Sequence, residues 1–172
     1  MRSKFSIGGH PLHPMLVAIP IGLFAWALVS DIVYLATDRD HMWYDISFWS
    51  SIAGIATALL AAAPGFGDYM TIARKSDARD MATAHMTLNL SVTALFGIAT
   101  LLMLEDGALD GGRLGAVVAL HAVAVGMLLI SGWLGGEMVF RKHLAMIPDE
   151  GMAEAEEQRH RPDAGHEPAS RA

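Results

Sequence analysis

Four apolar runs, each long enough to cross a lipid bilayer, leave this chain few ways to fold. Pro14–Leu35 carries one charged residue, Asp31, and Ile46–Phe66 carries none. Ala82–Leu104 is also uncharged, though His85 and Asn89 interrupt it, and Leu114–Phe140 carries only Glu137, with His121 inside the run. A hydrocarbon core of about 30 Å takes roughly 20 helical residues to span. Peptide groups in lipid find no water, so each run must satisfy its own backbone as a helix. The links, Ala36–Asp45, Gly67–Met81 and Glu105–Arg113, are short. Short links make successive helices antiparallel neighbours. The expectation is an all-α, integral membrane, up-down four-helix bundle, with helices over 14–35, 46–66, 82–104 and 114–140.

Composition agrees: 53% of the 172 residues are apolar, 17% are charged, and the mean hydropathy is +0.37. Soluble domains are more charged than this. The formal charge of −6 owes much to the segment after Ile147 and says little about partners. Basic patches with interleaved aromatics are lacking, which argues against nucleic acid as a partner. The chain has no cysteine, so disulfides, thiolate metal sites and cysteine nucleophiles are excluded. Any metal or haem must be held by His, Met, Tyr or a carboxylate.

Lys and Arg set the orientation. Arg2 and Lys4 precede the first span, Arg74, Lys75 and Arg79 lie in the middle link, and Arg141 and Lys142 follow the fourth span. The other two links hold one each, Arg39 and Arg113. The positive-inside rule therefore places both termini and the middle link in the cytoplasm. Trp43, Tyr44, Phe48 and Trp49 gather at the outer start of the second span, as interface aromatics do. The first run is too long for a signal peptide and no A-x-A site follows it, so it reads as a retained helix. The organisation is then an N-terminal arm over 1–13, a membrane domain over 14–147 and a disordered cytoplasmic tail over 148–172. Small residues on the second span (Ser47, Ser51, Gly54, Ala58, Ala61) and the fourth (Gly132, Gly135, Gly136) suit close helix approach.

Ionisable residues inside a span are expensive and mark candidate sites. Sorted by depth, His10, His13, Asp68, His85, Asn89 and Glu137 collect at the cytoplasmic end, with every helix contributing. His10 and His13 lie in GGHPLHPML, each just before a proline. Residues before proline favour extended backbone, so this arm should be non-helical, with Pro14 opening the first helix. A polyproline repeat would put both imidazoles on one face, roughly 9 Å apart. His85, Asn89, Thr93, Phe96 and Thr100 form one stripe that should face the interior. No inverted repeat is visible. In the outer half, Asp31 and His121 are placed to pair, and His41 lies in the first outer link.

Three chemistries suit such a cluster. Histidines on facing helices of a bundle can hold b-type haem by bis-His ligation. His85 with His10 or His13 would be the inner pair, and His121 with His41 a poorer outer one. Alternatively, His10, His13, His85 and a carboxylate, Asp68 or Glu137, would suit a non-haem metal such as zinc or iron. The third is a cofactor-free network that packs the bundle or relays protons. Bland roles stand beside these: backbone hydrogen bonds for the histidines, a turn cap for Asp68, pairing with Arg141 for Glu137. There is no Ser–His–Asp triad, P-loop or dinucleotide fingerprint, so no enzyme class is assigned.

At GHPLHPMLVAIPIGLF, AHMTLN and SGWLGGEMVFR, from about Gly9 to His143, the chain resembles the bacterial membrane family labelled domain of unknown function 2231. The motif positions are His10, Pro11, His13, Pro14, His85, Asn89, Gly135, Gly136 and Glu137. Relatives often carry a histidine where this chain reads Val17, Ala18, Ile19, so that ligand candidate is missing here. Similar domains occur fused to Rieske or c-type cytochrome modules, which implies redox surroundings. The resemblance thus implies a four-span protein of the bacterial inner membrane. It would either serve electron transfer with a bound haem or metal, or act as a cofactor-free subunit that scaffolds a redox or transport partner. Homo-oligomerisation is compatible with either.

Overall fold

A computed structural model describes residues 5–8, 10–104 and 111–140. Among these residues the fold consists of α1 (Leu12–Leu16), α2 (Ala18–Ala36), α3 (His41–Tyr69), α4 (Asp77–Leu104) and α5 (Gly111–Phe140). α1 and α2 are one span interrupted at Val17, and with α3, α4 and α5 they make four helices long and apolar enough to cross a membrane. Four spans bring the N-terminal arm and the end of α5 to the same side. The tail assigned to 148–172 lies outside the described residues.

The helices run further than the apolar runs suggest, because polar residues cap them. Asp38 and Arg39 take left-handed backbone (φ 48° and 64°), and the Asp40 side chain then accepts from Met42 N at 3.1 Å, which starts α3 at once. Ser76 accepts from Arg79 N at 3.2 Å, and Asp77 and Asp80 sit in the first turn of α4, where the helix dipole favours negative charge. The stretch Gly65-Phe66-Gly67-Asp68 has the composition of a turn, yet α3 continues past Pro64 and through it to Tyr69. Breaking a helix near lipid would strand more backbone groups than Pro64 does. The two glycines are there for room. A Cβ on Gly65 would lie 2.6 Å from His13 Nδ1, and one on Gly67 would overlap the Phe5 ring.

The arm also departs from the expected extended segment. β1 (Ser6–Ile7) and β2 (His10–Pro11) pair antiparallel across Gly8, whose φ of 58° favours glycine. Pro11 occupies the N-cap, so the helix opens at Leu12 and not at Pro14. His13 is therefore helical. Pro14 falls in the first turn, where its missing N–H costs nothing. His10 and His13 consequently do not share a polyproline face.

α2 packs most extensively on α3, and α4 on α5, so the bundle is two helical hairpins laid together. The hairpins repeat one another. Buried Pro20, Phe24, Ala27 and Asp31 on α2 correspond, 72 positions on, to buried Val92, Phe96, Ala99 and Met103 on α4. Buried Ser47, Ser51, Gly54 and Ala61 on α3 correspond, 70 positions on, to buried Val117, His121, Ala124 and Ser131 on α5. Phe24 stacks on its own counterpart Phe96, with centroids 4.1 Å apart. A residue that touches its counterpart lies on a two-fold axis. The repeat is parallel, since each unit crosses the membrane twice, and the axis runs along the bundle.

The polarity of the cross-section is inverted relative to a soluble bundle. Trp26, Leu59, Leu60, Leu129 and Trp133 point outwards, whereas Ser30, Asp31, Ser47, Ser51, His121 and Ser131 are buried. Ser30, Ser51 and Thr100 each return a hydrogen bond to the carbonyl four residues earlier. A central plug of Phe24, Ala27, Val92, Phe96, Ala124 and Leu128 separates two polar zones, one towards each end.

Candidate functional site

The zone at the N-terminal-arm end is built from one histidine per hairpin. His13 Nδ1 lies 2.8 Å from the Ala61 carbonyl of α3, and His85 Nδ1 lies 2.9 Å from the Ser131 carbonyl of α5. These residues are counterparts: His13 with His85, Ala61 with Ser131, and also Gly65 with Gly135, over which the two rings lie. Each Nδ1 must donate to its carbonyl, which fixes the tautomer and leaves the lone pair on Nε2. The rings face each other across the axis, perpendicular, with centroids 6.3 Å apart. Two asymmetries are present: the Ser131 hydroxyl lies 3.0 Å from His85 Nδ1, where Ala61 offers none to His13, and His85 has an amide neighbour. The Asn89 amide lies 3.1 Å from His85 Nε2 and also donates to Ser131 Oγ at 2.7 Å and to the His85 carbonyl at 2.8 Å.

The other residues expected at this end are offset from the pair. His10 is exposed on the hairpin, so His13 is the histidine that meets His85. Asp68 and Glu137 are half-buried, but they sit seven and six residues beyond the carbonyls that hold the imidazoles. At about 1.5 Å per residue that is roughly 10 Å nearer the membrane surface. Among the described residues no three His, Asp or Glu side chains gather as metal ligands. The set His10, His13, His85, Asp68 and Glu137 is therefore not assembled as one metal centre here.

The polar zone at the opposite end joins the hairpins directly. Asp31 Oδ2 lies 2.6 Å from His121 Nδ1, and Ser47 Oγ donates to Asp31 Oδ1 at 2.5 Å. His121 is stacked on Phe96 at 4.3 Å. His41 does not approach His121; it is exposed, 3.5 Å from Asp45 and over Tyr44. The expected stripe of His85, Asn89, Thr93, Phe96 and Thr100 is turned inwards, half-buried to buried throughout.

Sequence reasoning missed Ser47 and Ser131 as partners, and Gly65 as the seat of His13. The internal repeat would have found them. HPMLVAIPIGLF and HMTLNLSVTALF align from histidine to Leu-Phe, and LLAAAPG aligns with LISGWLG without a gap.

This fold and site define a class: a four-span integral membrane protein of two repeated hairpins, with a histidine pair on the axis between them. The chain belongs to the family described as predicted membrane protein (DUF2231), which matches residues 9–148. Neither the curated proteins nor the solved structures contain a match.

Proposed function

We propose that the protein is an electron-transfer subunit of the bacterial inner membrane, with both termini cytoplasmic, in which His13 and His85 ligate one b-type haem. The observation that carries this reading is their matched preparation. Both imidazoles have Nδ1 anchored to a backbone carbonyl and face one another across the axis. Ligating histidines characteristically donate their second nitrogen in this way. A pair of imidazoles suits haem, whose porphyrin would supply the remaining donors, better than a bare ion that needs three or four protein ligands. The haem would supply one-electron chemistry, and a redox partner protein would exchange the electron.

The second reading is a cofactor-free subunit that scaffolds a redox or transport partner. It is favoured by the Asn89 amide on His85 Nε2, which completes a helix staple with no ligand. An absorption spectrum with metal analysis of the full chain in detergent separates the two. The haem reading expects a Soret band that is lost in both His13→Ala and His85→Ala. A colourless, metal-free preparation that takes up no added haem overturns it and leaves the scaffold.

A further inference from the structure

The outer polar zone is not used by the His13–His85 reading, and the repeat shows that packing does not require it. The counterpart of Asp31 is Met103, that of Ser47 is Val117, and that of His121 is Ser51, all buried. At the same depth, the other half of the bundle packs with a thioether, an isopropyl group and a small hydroxyl. Ionisable side chains withdrawn from water are costlier than such residues. Asp31 and His121 are nevertheless sealed, with side-chain exposures of 4% and 0%. His121 Nε2 is buried without a hydrogen-bond partner among the described residues.

We infer that Asp31, Ser47 and His121 form a proton-binding site in the half of the membrane away from the N-terminal arm, with His121 Nε2 as the atom that takes the proton. Asp31, held on one oxygen by Ser47, keeps the Nδ1 proton of His121 and so leaves the lone pair on Nε2. In that state carboxylate and neutral imidazole carry one net negative charge. A proton bonding to Nε2 makes the imidazolium, and the pair becomes neutral overall.

The ionisable groups around the pair are few. α2 adds Tyr34 and α3 adds Tyr44, whose hydroxyl donates to the Met103 carbonyl at 2.5 Å. α4 presents Phe96 and Thr100, which do not titrate. Arg113 on α5 is eight residues from His121, about 12 Å along the helix. Tyr34, Tyr44, Trp43 and Leu114 cover the site from the outer side, and the Phe24–Phe96 plug closes it from the inner side. Asp31 belongs to one hairpin and His121 to the other. The pair thus bridges the two hairpins, which pack on each other less extensively than their own helices do.

The test is nitrogen NMR of the full chain labelled at histidine, in phospholipid nanodiscs, from about pH 5 to about pH 9. The His121 imidazole, identified as the signal absent from His121→Ser, should convert from a deprotonated to a protonated Nε2 signal while its Nδ1 stays protonated. That step should vanish in the double variant Asp31→Met, His121→Ser, which installs the residue types of the other hairpin and should keep its helix content. It should also vanish in Asp31→Asn, which keeps the imidazole and the side-chain shape and decides the assignment if the double variant does not fold. A His121 signal that is unchanged across the range overturns the proposal, and so does a step that persists unaltered in Asp31→Asn. The readout needs no haem, so it is independent of the function proposed above.

Discussion

The two glycines under the histidine rings are counterparts, but the structure makes them unequal. A Cβ at Gly65 would sit 2.6 Å from His13 Nδ1 and 2.8 Å from its Cε1, whereas one at Gly135 would sit 3.3 Å from His85 Cε1. Carbon-type contacts settle at about 3.5 Å or more, so Gly65→Ala must push the His13 ring away by about 1 Å. The ring is held by a 2.8 Å bond to the Ala61 carbonyl, and the shift breaks it. A lost hydrogen bond costs about 1 kcal/mol, and crowding adds about 1–3 kcal/mol. Replacing glycine in a helix returns about 1 kcal/mol. The net loss for Gly65→Ala is about 1–3 kcal/mol, or about 3–10 °C of melting temperature at this chain length. Gly135→Ala keeps the helix gain and meets only a slight contact, so it should melt within about 2 °C of wild type or above it. Circular dichroism melts in one detergent compare the variants directly. In a His13→Ala background, Gly65→Ala should no longer destabilise, because nothing is left to push. Equal losses for the two glycines, or a harmless Gly65→Ala, would refute the placement of the His13 ring.

The same melts check the plug and the polar partners. Phe24→Ala and Phe96→Ala should each cost about 3–5 kcal/mol, and together less than the sum, because each removes the same 4.1 Å stack. Ser47→Ala leaves an Asp31 oxygen without its donor inside the bundle and should cost about 1.5–3 kcal/mol; a melt unchanged from wild type counts against that bond. Ser131→Ala removes the hydroxyl that bonds Asn89 and lies 3.0 Å from His85 Nδ1, while the carbonyl still holds His85, and should cost about 1–2 kcal/mol. A loss as large as that of His85→Ala would show that the hydroxyl, not the carbonyl, positions the ring.

The spans were legible because lipid forces a helix on any long apolar run, and the links were short enough to leave one topology. Their ends were less so: Asp40 and Ser76 extend α3 and α4 by capping, which hydropathy does not register. Depth sorting from charge and helical rise brought His13 and His85 to one end and Asp31 to His121. It could not resolve distances along a helix finer than a turn or two, and so it grouped Asp68 and Glu137 with imidazoles that lie deeper. The X-Pro rule was applied equally to His10 and His13. It holds for His10 and fails for His13, where Pro14 falls inside the first turn and a cross-helix bond fixes the ring. The repeat was hidden because the halves share burial pattern more than residue identity.

The repeat also shows where the two imidazoles differ, and this gives the sharpest test of their role. At Nδ1 both are held by a backbone carbonyl, with the Ser131 hydroxyl added beside His85. At Nε2 they differ, because Asn89 contacts His85 there, while its counterpart beside His13 is Val17, which has no amide to offer. Any ligand that takes both Nε2 lone pairs must displace the Asn89 amide from one of them. Asn89→Val makes the second half like the first and removes that competitor. One hydrogen bond of about 1 kcal/mol corresponds to about a five-fold change in affinity, so haem titrated into the detergent-solubilised variant should bind about five times more tightly. Three polar contacts of Asn89 are lost at the same time, so the variant should also melt below wild type. Affinity and stability therefore move in opposite directions if the pair ligates and Asn89 competes with it. If the histidines are only staples, the variant loses stability and gains no ligand, and a folded Asn89→Val that binds haem no better than wild type would remove the pair from the proposed site.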